Sequence, residues 1–471
     1  MKRRELLHIL PAAVAGLTVK GLTAEAQPGP GILPGPPYHV NGGERLPIAY
    51  LRKVRGMLQW IRETQSDVML EASYALARTW MKGGTVWCEW DMGHNNNFDI
   101  FPERNGVPEF ISMVYDTDKA KKGDLYFASR EANLGDDLAK KDIFVVGSPA
   151  PWGGDAKGWE LLRPDVQIQK LKPFANIWIE TNITTHGAIM KMPGQITPFG
   201  PVSGILGLMT FWMIVGDACR ILAREGKKVK VSGDEPELKS DRTDWIDLDT
   251  PIMGTYFDQT MRQLEMIEGE IGALEKAASM AVDAVLSGGK VFSYSNNRNS
   301  LAVEGHGRRG GLFLTRGLCM WEGKLCVMDG YQPYTPNPKD FVVMGVWRPE
   351  NPVDLENLAR FRSADMKTAS IGPMTRDFTV PAGATVPMQT DVHIGRMCDT
   401  YGLFAVPGFN RRICPTSGTV MNQIWWALCM EIAAQIINRT GDVPAVWMSG
   451  ALAASRYHNP IMNAKYLERG Y

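Results

Sequence analysis

The sequence predicts an α/β protein built twice over, each half a parallel sheet flanked by helices. Three observations point there. A long amphipathic helix ending in Gly83-Gly84 runs into the apolar segment Thr85 to Trp90, and a second such helix ends in Gly288-Gly289 and continues as Lys290 to Tyr294. Short apolar runs bounded by charges and glycines then alternate with helical stretches, as strands buried on both faces require. Each half closes with a nearly all-apolar helix opened by the same residue types, Pro201-Val202-Ser203-Gly204 and Pro415-Thr416-Ser417-Gly418. Gly83 and Gly288 stand 205 residues apart, as do Arg104 and Arg309, whereas Ser203 and Ser417 stand 214 apart, so the second copy carries an insertion between these anchors.

Taken in order, residues 1–26 read as an export signal. Arg3-Arg4 is a twin arginine, the apolar stretch Ile9 to Val19 is shorter than the ~20 residues that span a bilayer, and Ala24-Glu25-Ala26 supplies a small-residue cleavage pattern. The segment resembles a twin-arginine signal, which predicts a periplasmic or secreted protein. Residues 27–44 interleave Pro28, Pro30, Pro34, Pro36 and Pro37 with glycine and predict a stiff linker. Residues 45–235 and 248–471 form the two domains, with the charged stretch Lys227 to Asp249 as their boundary.

The opening helix of the second domain shows the cleaner periodicity. Phe257, Met261, Leu264, Ile267, Ile271, Leu274, Ala278, Val282 and Val285 recur at steps of three and four and predict one continuous apolar face. Val54, Leu58, Ile61, Val68, Ala72, Leu76 and Trp80 do the same less regularly in the first. Glycine at each end supplies a left-handed stop. Strands are expected at Asp124 to Ala128, Asp142 to Gly147 and Asn176 to Ile179, then at Lys324 to Met328 and Asp340 to Gly345.

Composition narrows the function. The 471 residues, 44% of them hydrophobic, suit two ordinary globular domains. Lys+Arg and Asp+Glu are both 51, so no global field favours nucleic acid. Ile205 to Val215, the most apolar stretch, is too short to predict a stable membrane span. Seven cysteines without a Cys-x-x-Cys read as small buried hydrophobes, with disulfides permitted but not demanded. No phosphate-binding P-loop, zinc-protease or nucleophile-elbow motif occurs, and no His, Cys and Asp cluster has metal-ligand spacing, so neither metal nor cofactor is expected.

The order of these elements resembles the sugar isomerase (SIS) domain family, present twice over residues 45–471. The shared features are a helix ending in Gly-Gly, a strand, a polar loop entering a helix, a glutamate with an Arg-x-Gly or Arg-Gly-Gly, and a later Pro-x-Ser-Gly. The resemblance implies two flavodoxin-like domains facing each other, and either isomerisation or recognition of phosphorylated sugars, with a homodimer or higher homo-oligomer expected. Ligands would sit where strand-end loops meet helix N-termini, whose free N–H groups and dipole favour anions. The corresponding residues are His94, Asn95, Asn96 and Asn97 in the first loop of one half, and Asn296, Asn297, Asn299 and Ser300 in that of the other. Ser129, Arg130 and Arg348 occupy the second loops, Ser203 and Ser417 open the closing helices, and His458 lies in a tail that covers a neighbouring site.

The departures bear on the ligand. The family's Gly-x-Gly-x-Ser is replaced by asparagines, and arginines stand where hydroxyls cluster. Amides pair with sugar hydroxyls, and arginine grips a carboxylate or phosphate, so a carbohydrate or sugar acid is the expected small-molecule partner. Aldose–ketose isomerisation needs an acid and a base beside the carbonyl, and Glu304 and His306 are the candidates. The plainer alternatives are that Glu304 salt-bridges the helix after its loop and that His306 is merely exposed, while Glu103-Arg104 reads as structural. The function expected is thus a sugar isomerase-like protein, with non-catalytic carbohydrate or sugar-phosphate binding as the alternative.

Overall fold

A computed structural model describes residues 39–40, 44–89, 99–100, 104, 106–114, 119–130, 135–150, 174–183, 187–192, 195, 197–233, 235–239, 241–296, 299–374, 383–399, 401–449 and 454–471. The predicted export signal, most of the proline-glycine linker, His94 to Asn97 and Asn297 lie outside these residues. A small antiparallel pair, β1 (His39–Val40) and β2 (Glu44–Arg45), precedes α1 (Leu46–Met81). The first half continues with β3 (Val86–Glu89), β4 (Ile111–Val114), β5 (Leu125–Arg130), α2 (Gly135–Lys140), β6 (Phe144–Ala150) and β7 (Ile177–Trp178). The antiparallel pair β8 (Ala188–Met190) and β9 (Phe199–Pro201) then leads into α3 (Ser203–Arg224).

The second half runs α4 (Met253–Met266), α5 (Ile271–Leu286), β10 (Val291–Ser295), α6 (Leu301–Gly305), β11 (Thr315–Trp321), β12 (Lys324–Val327) and β13 (Gln332–Pro333). After these come β14 (Phe341–Gly345), α7 (Pro352–Ser363), β15 (Lys367–Ile371), α8 (Val386–Gln389), β16 (Val392–Ile394), α9 (Ser417–Thr440) and α10 (Ser455–Arg469). Residues 35–471 form a single unit.

The sheets show the duplication directly. The first has strand order β4-β3-β5-β6-β7, all parallel. The second contains the same arrangement as β11-β10-β14-β15-β16, also parallel, and adds β12 and β13 antiparallel at one edge. In both halves the first strand lies inside and the second outside it, the flavodoxin-like winding. Lys324 to Val327, expected as one of the alternating buried strands, is instead the return strand of a hairpin with β11, a strand the apolar pattern did not reveal.

The paired glycines have the same two jobs in each half. Gly83 and Gly288 take φ of +80° and +81° and end their helices. At Gly84 and Gly289 an added Cβ would collide with the carbonyl oxygens of Gly123 and Lys339, so helix and incoming loop touch backbone to backbone. Just beyond those carbonyls, Asp124 accepts from Thr85 N at 2.9 Å and Asp340 from Lys290 N at 2.9 Å, fixing the start of β3 and of β10.

The predicted single helix from Phe257 to Val285 is divided, because residues 267–270 tighten into a 3₁₀ turn between α4 and α5. Glu270 in that turn accepts from Gly395 N at 2.6 Å, so a tertiary contact interrupts a continuous apolar pattern. The two closing helices form the centre. Of α3, all of Ser203–Ala223 is buried, and α9 is buried as far as Ala434. Both are long and apolar enough to cross a membrane, but their apolar faces pack inside the protein, chiefly on α1, α5 and each other. The buried charges in α3 are satisfied internally: Asp217 pairs with Arg220 at 2.7 Å and caps α4 through Ile252 N and Met253 N at 3.1 and 3.0 Å.

Candidate functional site

The first-loop segments of the two halves meet at the N-termini of α3 and α9. Arg104, from the first half, pairs with Asp99 at 3.0 Å and donates to Ser417 Oγ at 3.0 Å in the second. Arg308, from the second half, pairs with Glu304 at 3.3 Å and donates to Ser203 Oγ at 2.8 Å in the first. Each half thus reaches across with a carboxylate-held guanidinium and engages the serine opening the other's core helix. The structural counterpart of Arg104 is Arg308, not the exposed Arg309 that the sequence spacing pairs with it. Ser300 Oγ completes the junction by bonding the Asp99 carboxylate, and Asn422 Nδ2 donates to Ser300 at 3.1 Å.

These charges lie inside the protein. Glu304 is 1% exposed and also accepts from the Trp426 indole at 2.8 Å. Burial pushes its carboxyl above the usual range; Arg308 and Trp426 oppose that, and the nearby Asp99 carboxylate adds to it. Burial raises Asp99 as well, against Arg104 and Ser300. A carboxylate also occupies the position that an anionic ligand takes at a helix N-terminus: a Cβ on Gly418, in the first turn of α9, would overlap the Asp99 carboxylate.

His306 belongs to a different neighbourhood. Its Nδ1 accepts from Gly317 N at 3.4 Å and its Nε2 lies 3.4 Å from Asp329, on the β11–β12 edge. Burial lowers its proton affinity, with Asp329 opposing. Glu304 and His306 therefore sit two residues apart in sequence with separate sets of partners.

Of the remaining candidates, Asn299 is fully buried, donating to Gly345 O at 2.9 Å and accepting from Leu301 N at 3.0 Å, and so ties the end of β10 to the end of β14. Ser203, Ser300 and Ser417 take part in the junction. Ser129 and Arg130 end β5. His458, in α10, bonds Val446 O at 2.9 Å and anchors its own helix. Asn296 and Arg348 are half-buried at the carboxyl edge of the second sheet, where parallel-sheet proteins of this winding hold ligands.

Behind Asn296 lies a group that the sequence did not single out. Asp354, in the first turn of α7, accepts from Asn296 Nδ2 at 3.1 Å and from the Tyr294 hydroxyl at 3.0 Å, while Asn357 Nδ2 donates to that hydroxyl at 3.0 Å. Burial lifts the Asp354 carboxyl from 3.8 to about 7, although both hydrogen bonds oppose it. The sequence signal was an Asn-Pro-x-Asp helix start, which caps α7 through Asn351 but does not reveal burial. A carboxyl whose proton affinity rises on folding stabilises the fold while protonated. That contribution is lost as pH climbs from about 4 through 7. Urea denaturation at about pH 5.5 and pH 8.5 should show a loss of about 2 kcal/mol at the higher pH, and Asp354→Asn should remove most of it. An unchanged pH dependence in the variant would place the titration elsewhere.

No family model matches the sequence, and no curated protein matches it significantly. Solved structures do match in fold. A protein described as a phosphosugar isomerase from Clostridium difficile 630 superposes with a TM-score of 0.50 at 9% identity, covering 88% of this chain and 98% of its own. The C-terminal domain of glucosamine-fructose-6-phosphate aminotransferase from Francisella tularensis gives 0.44 at 12% identity, covering 82% and 97%. A protein described as sugar-binding from Salmonella typhimurium LT2 gives 0.43 at 9%, covering 83% and 99%. With the repeated β4-β3-β5-β6-β7 winding, the first of these likenesses shows that the chain has the fold of a doubled, flavodoxin-like SIS protein.

Proposed function

We propose that the protein binds an unphosphorylated sugar or sugar acid at the carboxyl edge of its second sheet. The observation that carries this reading is the Asp99 carboxylate at the N-terminus of α9. A phosphate placed there would overlap a carboxylate that already fills the position and is held by Arg104. Asn296 offers an amide to ligand hydroxyls, held from behind by Asp354, and Arg348 offers a guanidinium to a carboxylate. His94 to Asn97, Ser129, Arg130 and Asn297 are proposed to complete the recognition loops. The twin-arginine start further suggests an exported chain, for which free sugars are the more accessible class.

Binding without turnover is favoured by the partners of the two candidate proton movers. Glu304 is engaged by Arg308 and Trp426, and His306 by Gly317 and Asp329. One observation supports isomerisation instead: Glu304 Oε1 has no hydrogen-bond partner among the described residues, and its proton affinity is raised.

A thermal-shift panel should show stabilisation by free hexoses or hexuronates exceeding that by hexose phosphates. Asn296→Ala or Arg348→Ala should weaken the effective ligand at least tenfold. Preferential stabilisation by phosphates would overturn the reading. Deuterium incorporation at C2 of the bound sugar, lost in Glu304→Gln, would decide for isomerisation.

A further inference from the structure

Strands β11 and β12 form a hairpin closed by Glu322 and Gly323, both left-handed, with φ of 47° and 75°. Two consecutive left-handed residues make the tight turn that suits the twist of paired strands and fixes their register. The register sets Cys319 directly opposite Cys326. Residues so paired project from the same face, with Cα atoms ~4.5–5.5 Å apart. That span lies inside the ~4.4–6.8 Å over which a disulfide closes without moving the backbone.

The two thiols are buried, at 4% and 2% exposure, and Cys319 packs with Ala302, Val303 and Met328. Burial pushes the Cys319 thiol up to about 12, with Cys326 the next contributor, as expected for adjacent sulfurs. All seven cysteines stand as thiols in this structure. Among the described strands, no other register places one cysteine opposite another.

We propose that Cys319 and Cys326 are a disulfide-forming pair, a covalent clasp across the β11–β12 hairpin. Closure converts two thiols into one S–S bond, and the two electrons and two protons pass to a disulfide oxidant that leaves as two thiols. One cysteine attacks the oxidant as thiolate to give a mixed disulfide, and the other displaces the second thiol. The clasp lies between Gly317 on β11 and Asp329 just after β12, the two residues that hold His306. Oxidation therefore fixes the frame around that histidine, whatever ligand the protein takes.

The test uses the full chain. Reduced, unfolded protein is refolded in a glutathione redox buffer, in which both thiols are accessible, then alkylated and digested with trypsin. A parallel arm oxidises the native chain with diamide and needs no refolding. The expected product is a linked pair of peptides, Gly317–Lys324 with Leu325–Lys339, that separates on reduction. The wild type should also melt several degrees lower after reduction, while a Cys319→Ala, Cys326→Ala double variant melts at the same temperature in either condition. Free Cys319 and Cys326 in both arms, or bonds to other cysteines such as Cys219 or Cys414, would overturn the proposal.

Discussion

Arg308→Ala is expected to destabilise the protein by about 3–5 kcal/mol, because it leaves the Glu304 carboxylate inside the protein without its counter-charge. The Arg308 and Glu304 side chains are only 9% and 1% exposed, so the pair is screened far less than a surface ion pair. The same change removes the donor to Ser203 and so loosens the join between the halves. Denaturant unfolding should show the loss, and adding Glu304→Gln should recover a good part of it, since the neutral amide needs no cation. A double variant as unstable as the single would mean that Arg308 acts through packing alone. Arg104→Ala should behave alike, with Asp99→Asn as its partner substitution.

The second large effect separates two adjacent glycines. Gly289→Ala should cost about 3 kcal/mol or more, because its methyl group would overlap the backbone oxygen of Lys339 and neither chain can yield as a side chain would. Gly288→Ala should cost only about 1–2 kcal/mol, the penalty of a side chain at φ +81°, since open space surrounds it. Gly84 and Gly83 should repeat the ranking. Equal melting temperatures for the two alanine variants would contradict the close approach.

These glycines also show what the sequence could express. The Gly-Gly pairs, the apolar runs and the Pro-x-Ser-Gly openings each record a local requirement, namely a left-handed stop, a buried strand or a buried helix start. Such requirements recur in both halves, and the doubled sheet was legible from them. What escaped were features made by distant parts of the chain. β11 reads as an unremarkable mixed segment, Thr315 to Trp321, because part of its pairing is to an antiparallel return strand that covers its edge. The 3₁₀ break in the α4–α5 region answers to Gly395, more than a hundred residues away.

The site divides similarly. The sequence marks Ser203, Ser417 and Ser300 as ligand-binding positions, whereas their bonds to Arg308, Arg104 and Asp99 arise only where the two halves cross. Arg104 read as structural and Glu304 as a proton mover; the structure places both in one kind of ion pair. The helix start at Asn351 to Asp354 is legible in the sequence, but the burial of Asp354 is not, because it depends on Tyr294 and Asn296 arriving from the end of β10.

The crossed arginine–serine contacts restrict how such a chain can change. A tandem duplicate normally frees one copy to drift while the other keeps its role. Here replacing Ser203 removes an acceptor of Arg308, and replacing Ser417 removes one of Arg104, so neither copy can alter the start of its closing helix without unsettling its sibling.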